Sequence, residues 1–296
     1  MPSLIGASER DHEVVSAINR RTGAGLRVLG RASYGKLGGA IYAEWPTGRA
    51  AVVTRFLGSP AEARRTAEVL AYVRDRGLPV PRHDLVVDLD DGVVFVQERL
   101  PSAPPRRLSP ARIDALVEIN DRFAGALAAR PDVPVRSLGL TRGDVPSRRH
   151  EALDAHSPRS RRVLGQILRI GEREPHDMVG DDLVHVDLSA ANVLFDENDR
   201  ATGVVDWNLG AYRGDRLFAL VKTRFDREWF VRSPDADPVE NAAADRLDEI
   251  LACRIAPATL RVYWAHWMLY QLYRAIRSSP PEVVDWHLDM AESRLW

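Results

Sequence analysis

Lysine is almost missing from this 296-residue chain. Of 41 basic residues only Lys36 and Lys222 are lysine, so a site that needs a compact ammonium has two places to find one. Cysteine is scarcer still. Cys253 stands alone, which excludes an intramolecular disulfide and any cysteine-built zinc site. Its setting, LDEILACRIA, reads as a helix in which it is a small packing residue. No apolar run approaches the roughly 18 to 20 residues of a membrane span. The start, MPSLIGASERDHEVV, lacks the basic and apolar segments of a secretion signal. A formal net charge of -1 gives no general pull toward nucleic acid or an acidic membrane. What remains is a chain 45% hydrophobic and 28% charged, suited to a globular protein of one two-lobed unit or two modest domains, with the cytoplasm as the expected location.

The order of elements divides near residue 101. A short amphipathic helix is predicted over 9–20. Three β-branched apolar runs follow at Leu26–Leu29, Ala40–Ala43 and Ala50–Phe56, separated by turn segments in the manner of a meander. In PAEARRTAEVLAYVRDR, residues 60–76, Ala63, Ala67, Leu70 and Val73 recur at helical spacing behind Pro60. Two more strands, DLVVDL and GVVFVQERL, meet at the tight turn Asp90–Gly92. The proline-rich SAPPRRLSP then reads as a hinge. Beyond it helices are predicted over 109–129, 148–170, 215–230, 239–253, 257–278 and 281–294, the first capped by Ser109 with Pro110 behind it. One β-like island interrupts them. In LVHVDLSAANVLFDENDRATGVVDW, the runs Val193–Phe195 and Gly203–Val205 flank a polar turn, and the ends of that hairpin carry His185, Asp187, Asn192 and Asp206.

Those polar residues form a recognisable chemical kit. Asp187 is followed five positions later by Asn192, and Asp206 lies beyond the return strand. One carboxylate suits an acceptor hydroxyl that must lose its proton. An amide oxygen and a second carboxylate suit a hard cation that bridges phosphate oxygens. Each residue alone is equally a turn former or a cap; the combination points to phosphoryl transfer.

The pattern H-x-D-x-x-x-x-N, an apolar hairpin and D-W resembles the aminoglycoside phosphotransferase family and its kinase-like relatives. Gly214-Asp215 resembles the start of that family's next helix, GLPVPR at 77–82 the segment after its first-lobe helix, and VQERLP at 96–101 its hinge. The resemblance implies an α+β, protein-kinase-like bilobal fold. Its β-rich, nucleotide-binding N-lobe would span 1–101, and a mainly helical C-lobe with the acceptor site 102–296. It implies ATP and Mg²⁺ as cofactors, Asp187 as catalytic base, Asn192 and Asp206 as metal ligands, and His185 as the buttress of the loop. Asp215 would cap the following helix. The hinge backbone from Glu98 to Leu100 would meet the adenine. Gly35 and Gly38, with Gly39, lie in the loop expected to cover the phosphates.

Several positions depart from the family. Val186 stands where glycine is usual, and Ala190-Ala191 replace a common Pro-Gly-like pair. The third strand offers Arg55 where the family has a lysine, so the phosphate contact is expected from Arg55 or from Lys36 in the glycine-rich loop. A helix glutamate should pair with Arg55; Glu68 and Glu62 are both available, Glu68 nearer the middle. For the acceptor, Asp235, Asp237, Glu240, Asp245, Asp248 and Glu249 offer an acidic wall suited to a polycation, while the arginine-rich segment 139–162 suits a neutral or anionic compound. Tyr263, Trp264, Trp267 and Tyr270 recur at helical spacing as core residues or as a stacking surface. The expected acceptor is a small molecule with a free hydroxyl, an antibiotic of aminoglycoside or basic-peptide type, whose phosphorylation confers resistance. The alternatives are a metabolic kinase of choline, homoserine or sugar type and an inactive nucleotide-binding pseudokinase. Neither nucleic acid nor membrane is an expected partner, and the chain is expected as a monomer or homodimer.

Overall fold

The structure is a computed structural model, and it describes residues 4–32, 39–141, 148–174, 177–231 and 236–296. Its first half is a six-stranded antiparallel sheet. In chain order the strands are β1 (Leu4–Ile5), β2 (Arg27–Ala32), β3 (Ile41–Glu44), β4 (Ala50–Phe56), β5 (His83–Leu89) and β6 (Gly92–Glu98), and in space they run β1-β2-β3-β4-β6-β5. Helix α1 (Glu9–Thr22) follows β1, and α2 (Pro60–Arg74) follows β4. Both helices start on a serine capping box, Ser8 with Asp11 and Ser59 with Glu62, which satisfies orphan N–H groups at each N-terminus.

The alternation of β4 sorts its side chains between two layers. Ala51 and Val53 pack with Val15 and Ile18 of α1, whereas Phe56 packs with Phe95 and with Ala63 of α2. Leu70 and Val73 of α2 also belong to the core of the helical half. The α2 face of the sheet is therefore the one turned toward that half.

The second half contains α3 (Pro110–Asp121), α4 (Arg148–His156), α5 (Pro158–Gly171), β7 (Asp182–His185), a short 3₁₀ turn at Ala190–Asn192, β8 (Val193–Phe195), β9 (Ala201–Val204), β10 (Ala211–Gly214), α6 (Leu217–Val231), α7 (Pro238–Arg254), α8 (Pro257–Ser278) and α9 (Pro281–Leu295). A β-rich half and a mainly helical half thus make the α+β arrangement expected for a kinase-like fold. The helix predicted over 109–129 ends at Asp121 and passes into turns. The helix predicted over 148–170 breaks in two, because Ser157 caps a fresh start and Pro158 cannot continue the preceding turn. Cys253 lies on α7 as predicted but is exposed, not packed. Tyr263, Trp264 and Trp267 of α8 are core residues; Tyr270 is only partly buried. No helix among the described residues is long and apolar enough to cross a membrane.

Backbone bonds join the two halves beside the hinge. Val204 N–H donates to Pro79 O at 2.8 Å and Leu57 N–H to Asn208 O at 3.0 Å, while Phe195 N–H donates to Ala103 O at 2.8 Å and ties the segment just after the hinge to β8. A Cβ on Gly203 would stand 2.7 Å from Leu100 Cδ1, so the hinge lies directly on the β8–β9 hairpin.

Candidate active site

Two short antiparallel pairs frame the site. β7 pairs with β10, with His185 opposite Ala211, and β8 pairs with β9. The chain leaves β7 into the loop 186–189, and it leaves β9 into 205–210. Val205 N–H donates to Asn192 O at 2.9 Å and closes the two loops on each other.

His185 fastens them a second time. Its Nε2 lies 3.0 Å from Val205 O, and its Nδ1 receives Asp187 N–H at 3.2 Å. A carbonyl can only accept and an amide N–H only donate, so these partners assign the neutral Nε2–H tautomer. Burial holds the imidazole pKa down at about 4, against a smaller upward pull from Asp187. The ring meets Trp207 edge-on at 4.4 Å, and Trp207, itself buried, donates Nε1–H to Val204 O. Burying such a ring stabilises the loop by about 2–3 kcal/mol.

Asn192 is buried, and its Nδ2 donates to Asp187 O at 2.8 Å. Its Oδ1 accepts no hydrogen bond among the described residues. Asp206 sits in the left-handed region at φ 65°, a conformation that costs a non-glycine residue about 1 kcal/mol. Its Oδ1 accepts a short hydrogen bond from Asn208 Nδ2. Burial, and then the charge of Asp187, push the Asp206 pKa up to about 6. Two neighbouring carboxylates of which one is largely buried make a site short of positive charge. An amide oxygen with no partner and a buried carboxylate are the hard oxygen donors that Mg²⁺ takes when phosphates complete its shell. No group of three or more His, Cys, Asp or Glu forms a self-sufficient metal site among the described residues.

Sequence reasoning missed two residues here. Asn208 carried a faint signal, an amide two positions after Asp206. Lys222 of α6 is buried, with Nζ 2.7 Å from Asp187 Oδ1 and 2.6 Å from Asp226 Oδ2. Burial lowers its pKa, but Asp226 and then Asp187 outweigh burial and raise it, so the ammonium is charged. The next residue, Thr223, donates Oγ1–H to Leu188 O at 2.8 Å. α6 is held in turn by Asp215, which accepts from Leu217 N–H and from Tyr263 O–H.

Other predicted site residues lie elsewhere. Arg55 shares the α1 face of β4 with Ala51 and Val53, and its guanidinium binds Asp91 O at 2.6 Å and Asp91 Oδ2 at 2.8 Å. It is turned away from the catalytic loop, which corrects its expected role as phosphate contact. The α2 face of β4 carries Thr54 instead, whose Oγ1 is buried without a partner among the described residues. Glu68 is exposed on α2, on the opposite side of the sheet from Arg55, so the expected pair does not form; Glu62 is held in its capping box. Glu98 lies at the hinge, but its N–H donates to Arg82 O and its carboxylate pairs with Arg74, so it has no N–H left for adenine. Arg99 lies over the Tyr42 ring at 4.5 Å, and Leu100 rests on Gly203. Much of the acidic wall is also paired, Asp248 with Arg224 at 2.9 Å and Glu249 with Arg246 at 3.3 Å. Glu240 is buried, accepting from Leu108 N–H at 2.9 Å and Arg227 at 2.6 Å, while Asp237 caps α7 and pairs with Arg107 at 2.8 Å. Lys36, Gly35, Gly38 and Asp235 lie outside the described residues.

Comparison with known proteins fits this geometry. The model of the phosphotransferase enzyme family, APH, matches residues 40–263. A search of the curated proteins returns no match. Among solved structures, a thermostable variant of the aminoglycoside phosphotransferase APH(4)-Ia, in ternary complex with AMP-PNP and hygromycin B, superposes with a TM-score of 0.65 at 18% identity, covering 96% of this chain and 97% of the other. The aminoglycoside-3'-phosphotransferase of type VIII gives 0.58 at 21% identity, over 87% and 99% of the two chains. An amicoumacin kinase in complex with AMP-PNP, Ca²⁺ and Ami gives 0.58 at 13% identity, over 95% and 96%. At these identities the superpositions establish the fold.

Proposed function

We propose, of a chain that belongs to the phosphotransferase enzyme family and is a kinase, that it transfers the γ-phosphate of Mg-ATP to a hydroxyl of a small molecule, with an antibiotic as the leading acceptor class and resistance as the outcome. The observation that carries this is the convergence of Asp187, Asn192 and Asp206 on two loops locked by His185.

Asp187 is the base. Its Oδ1 is held by Lys222, and its Oδ2, free of hydrogen bonds among the described residues, takes the acceptor's hydroxyl proton. The acceptor oxygen forms the new bond to the γ-phosphorus, and the bond to the β–γ bridging oxygen breaks with its electron pair leaving on ADP. Asn192 Oδ1 and Asp206 are the two protein ligands that would hold Mg²⁺, which supplies charge neutralisation to the phosphates. His185 stays neutral and keeps Asp187 in register. The α2 face of the sheet, the β8–β9 hairpin and the hinge at Arg99 and Leu100 would hold the adenine.

The similar enzymes, one in complex with hygromycin B and one an amicoumacin kinase, support an antibiotic acceptor. One observation favours a second reading, a metabolic kinase acting on a neutral or anionic alcohol. Asp237 and Glu240, two of the acids suited to a polycation, are bound by Arg107 and Arg227. An ATP-consumption screen across hydroxylated antibiotics and small alcohols, read by product mass, separates the two. A gain of one phosphate on an antibiotic supports the first reading; a gain only on small alcohols replaces it with the second.

A further inference from the structure

The strand that would normally grip the nucleotide's phosphates supplies no cation here. The α2 face of β4 presents Val52, Thr54 and Phe56, and the one basic residue of that strand, Arg55, is bound to Asp91 behind the sheet. Among the described residues the cation that touches the catalytic cluster comes from the other half of the molecule. It is Lys222 of α6, buried, in a chain where 41 basic residues include only two lysines.

Its chemistry suits the place better than an arginine would. An ammonium is a compact charge with three N–H groups in a tetrahedral spread, whereas a guanidinium is a planar fork. Lys222 Nζ reaches Asp187 Oδ1 at 2.7 Å and Asp226 Oδ2 at 2.6 Å, with the face of Trp267 5.4 Å away. Asp226 lies one helical turn on, so the ammonium is pinned by its own helix before it meets the loop. Thr223 binds the carbonyl of Leu188 beside it, so consecutive residues of α6 clamp consecutive residues of the catalytic loop.

We propose that Lys222 is a positioning residue of the phosphoryl-transfer site, holding Asp187 Oδ1 from α6 so that Oδ2 faces the acceptor hydroxyl. A cation on a carboxylate weakens it as a base, but little base strength is needed where the transition state is loose and positioning dominates. The inference rests on the kinase reading above.

The test uses ATP with water as acceptor, so no antibiotic need be known. Water gives its proton to Asp187 Oδ2, its oxygen bonds to the γ-phosphorus, and the bridging P–O bond breaks to yield ADP and phosphate. Wild type, Lys222→Met, Lys222→Arg, Lys222→Met/Asp226→Asn and Asp187→Asn are compared for kcat and KM with Mg-ATP, and by thermal melting. The double variant removes one charge of each sign and keeps the test valid if Lys222→Met alone fails to fold. Lys222→Met or the double variant should lose about 100-fold in kcat, as expected for a misplaced reacting group, with KM for ATP within about threefold. Lys222→Arg should recover part of the loss, a response that a purely structural role would not give. A folded double variant with wild-type kcat overturns the proposal, as does a KM that rises in step with the loss, which would make Lys222 a nucleotide grip. A wild type no faster than Asp187→Asn overturns Asp187 as the base, and the proposal with it.

Discussion

Replacing His185 with phenylalanine separates the buttress from the chemistry. The ring volume and its edge-on contact with Trp207 survive, while both hydrogen bonds are lost. Val205 O and Asp187 N–H are then left without partners, at about 1–3 kcal/mol each, so the loss should be about 2–6 kcal/mol. That is a large part of the ~5–15 kcal/mol that typically holds a domain folded. The pH dependence gives an independent handle. His185 has a folded pKa of about 4 against an ordinary value of 6.5. The unfolded chain therefore binds its proton first as pH falls. The stabilisation from keeping the ring neutral is complete above pH 6.5, fades between 6.5 and 4, and is gone below 4. Over that window it amounts to about 3 kcal/mol. Buried His83 and His266, also held down to about 4, add to the same acid slope in both proteins, so the difference between wild type and variant isolates His185. Urea unfolding at a series of pH values measures it. A variant within about 0.5 kcal/mol of wild type at neutral pH, with an unchanged acid slope, would refute the buttress role.

Three further outcomes follow from the same geometry. Asp206→Ala should abolish the Mg²⁺-dependent part of ATP affinity in calorimetry; unchanged metal-nucleotide affinity would remove Asp206 as a ligand. Arg55→Ala should leave KM for ATP unchanged and cost no more than about 1 kcal/mol, because it loses a half-exposed pair with Asp91 on the far side of the sheet; a large rise in KM would return it to the phosphates. Gly203→Ala should cost no more than about 1 kcal/mol in denaturation but weaken nucleotide binding, since the added methyl displaces the end of the Leu100 side chain at the hinge.

What was legible in the sequence was local. Capping serines, the period of α2, the β-branched runs and the spacing of His185, Asp187 and Asn192 all act within a few residues, and they located the elements and the loop. Faces and partners depend on contacts distant in sequence. Arg55 sits on the expected strand, but which face it occupies was settled by α1 packing on one side and α2 on the other. Glu240 read as a surface acid because its partners, Leu108 N–H and Arg227, approach from the segment before α3 and from α6. The break at Ser157-Pro158 was written in the sequence, yet the continuous apolar spacing around it concealed a new cap. Lys222 was visible as one of two lysines, and only the packing of α6 against the loop brought it to Asp187.

The central claim is that Asp187 accepts the acceptor's proton in phosphoryl transfer from ATP. The most direct measurement is the mass of an acceptor incubated with Mg-ATP and either wild type or Asp187→Ala, alongside ATP affinity for both. Wild type should add one phosphate to a hydroxyl compound, and Asp187→Ala should lose turnover by about 10²-fold or more while ATP affinity survives. Equal product formation by the two proteins would contradict the account.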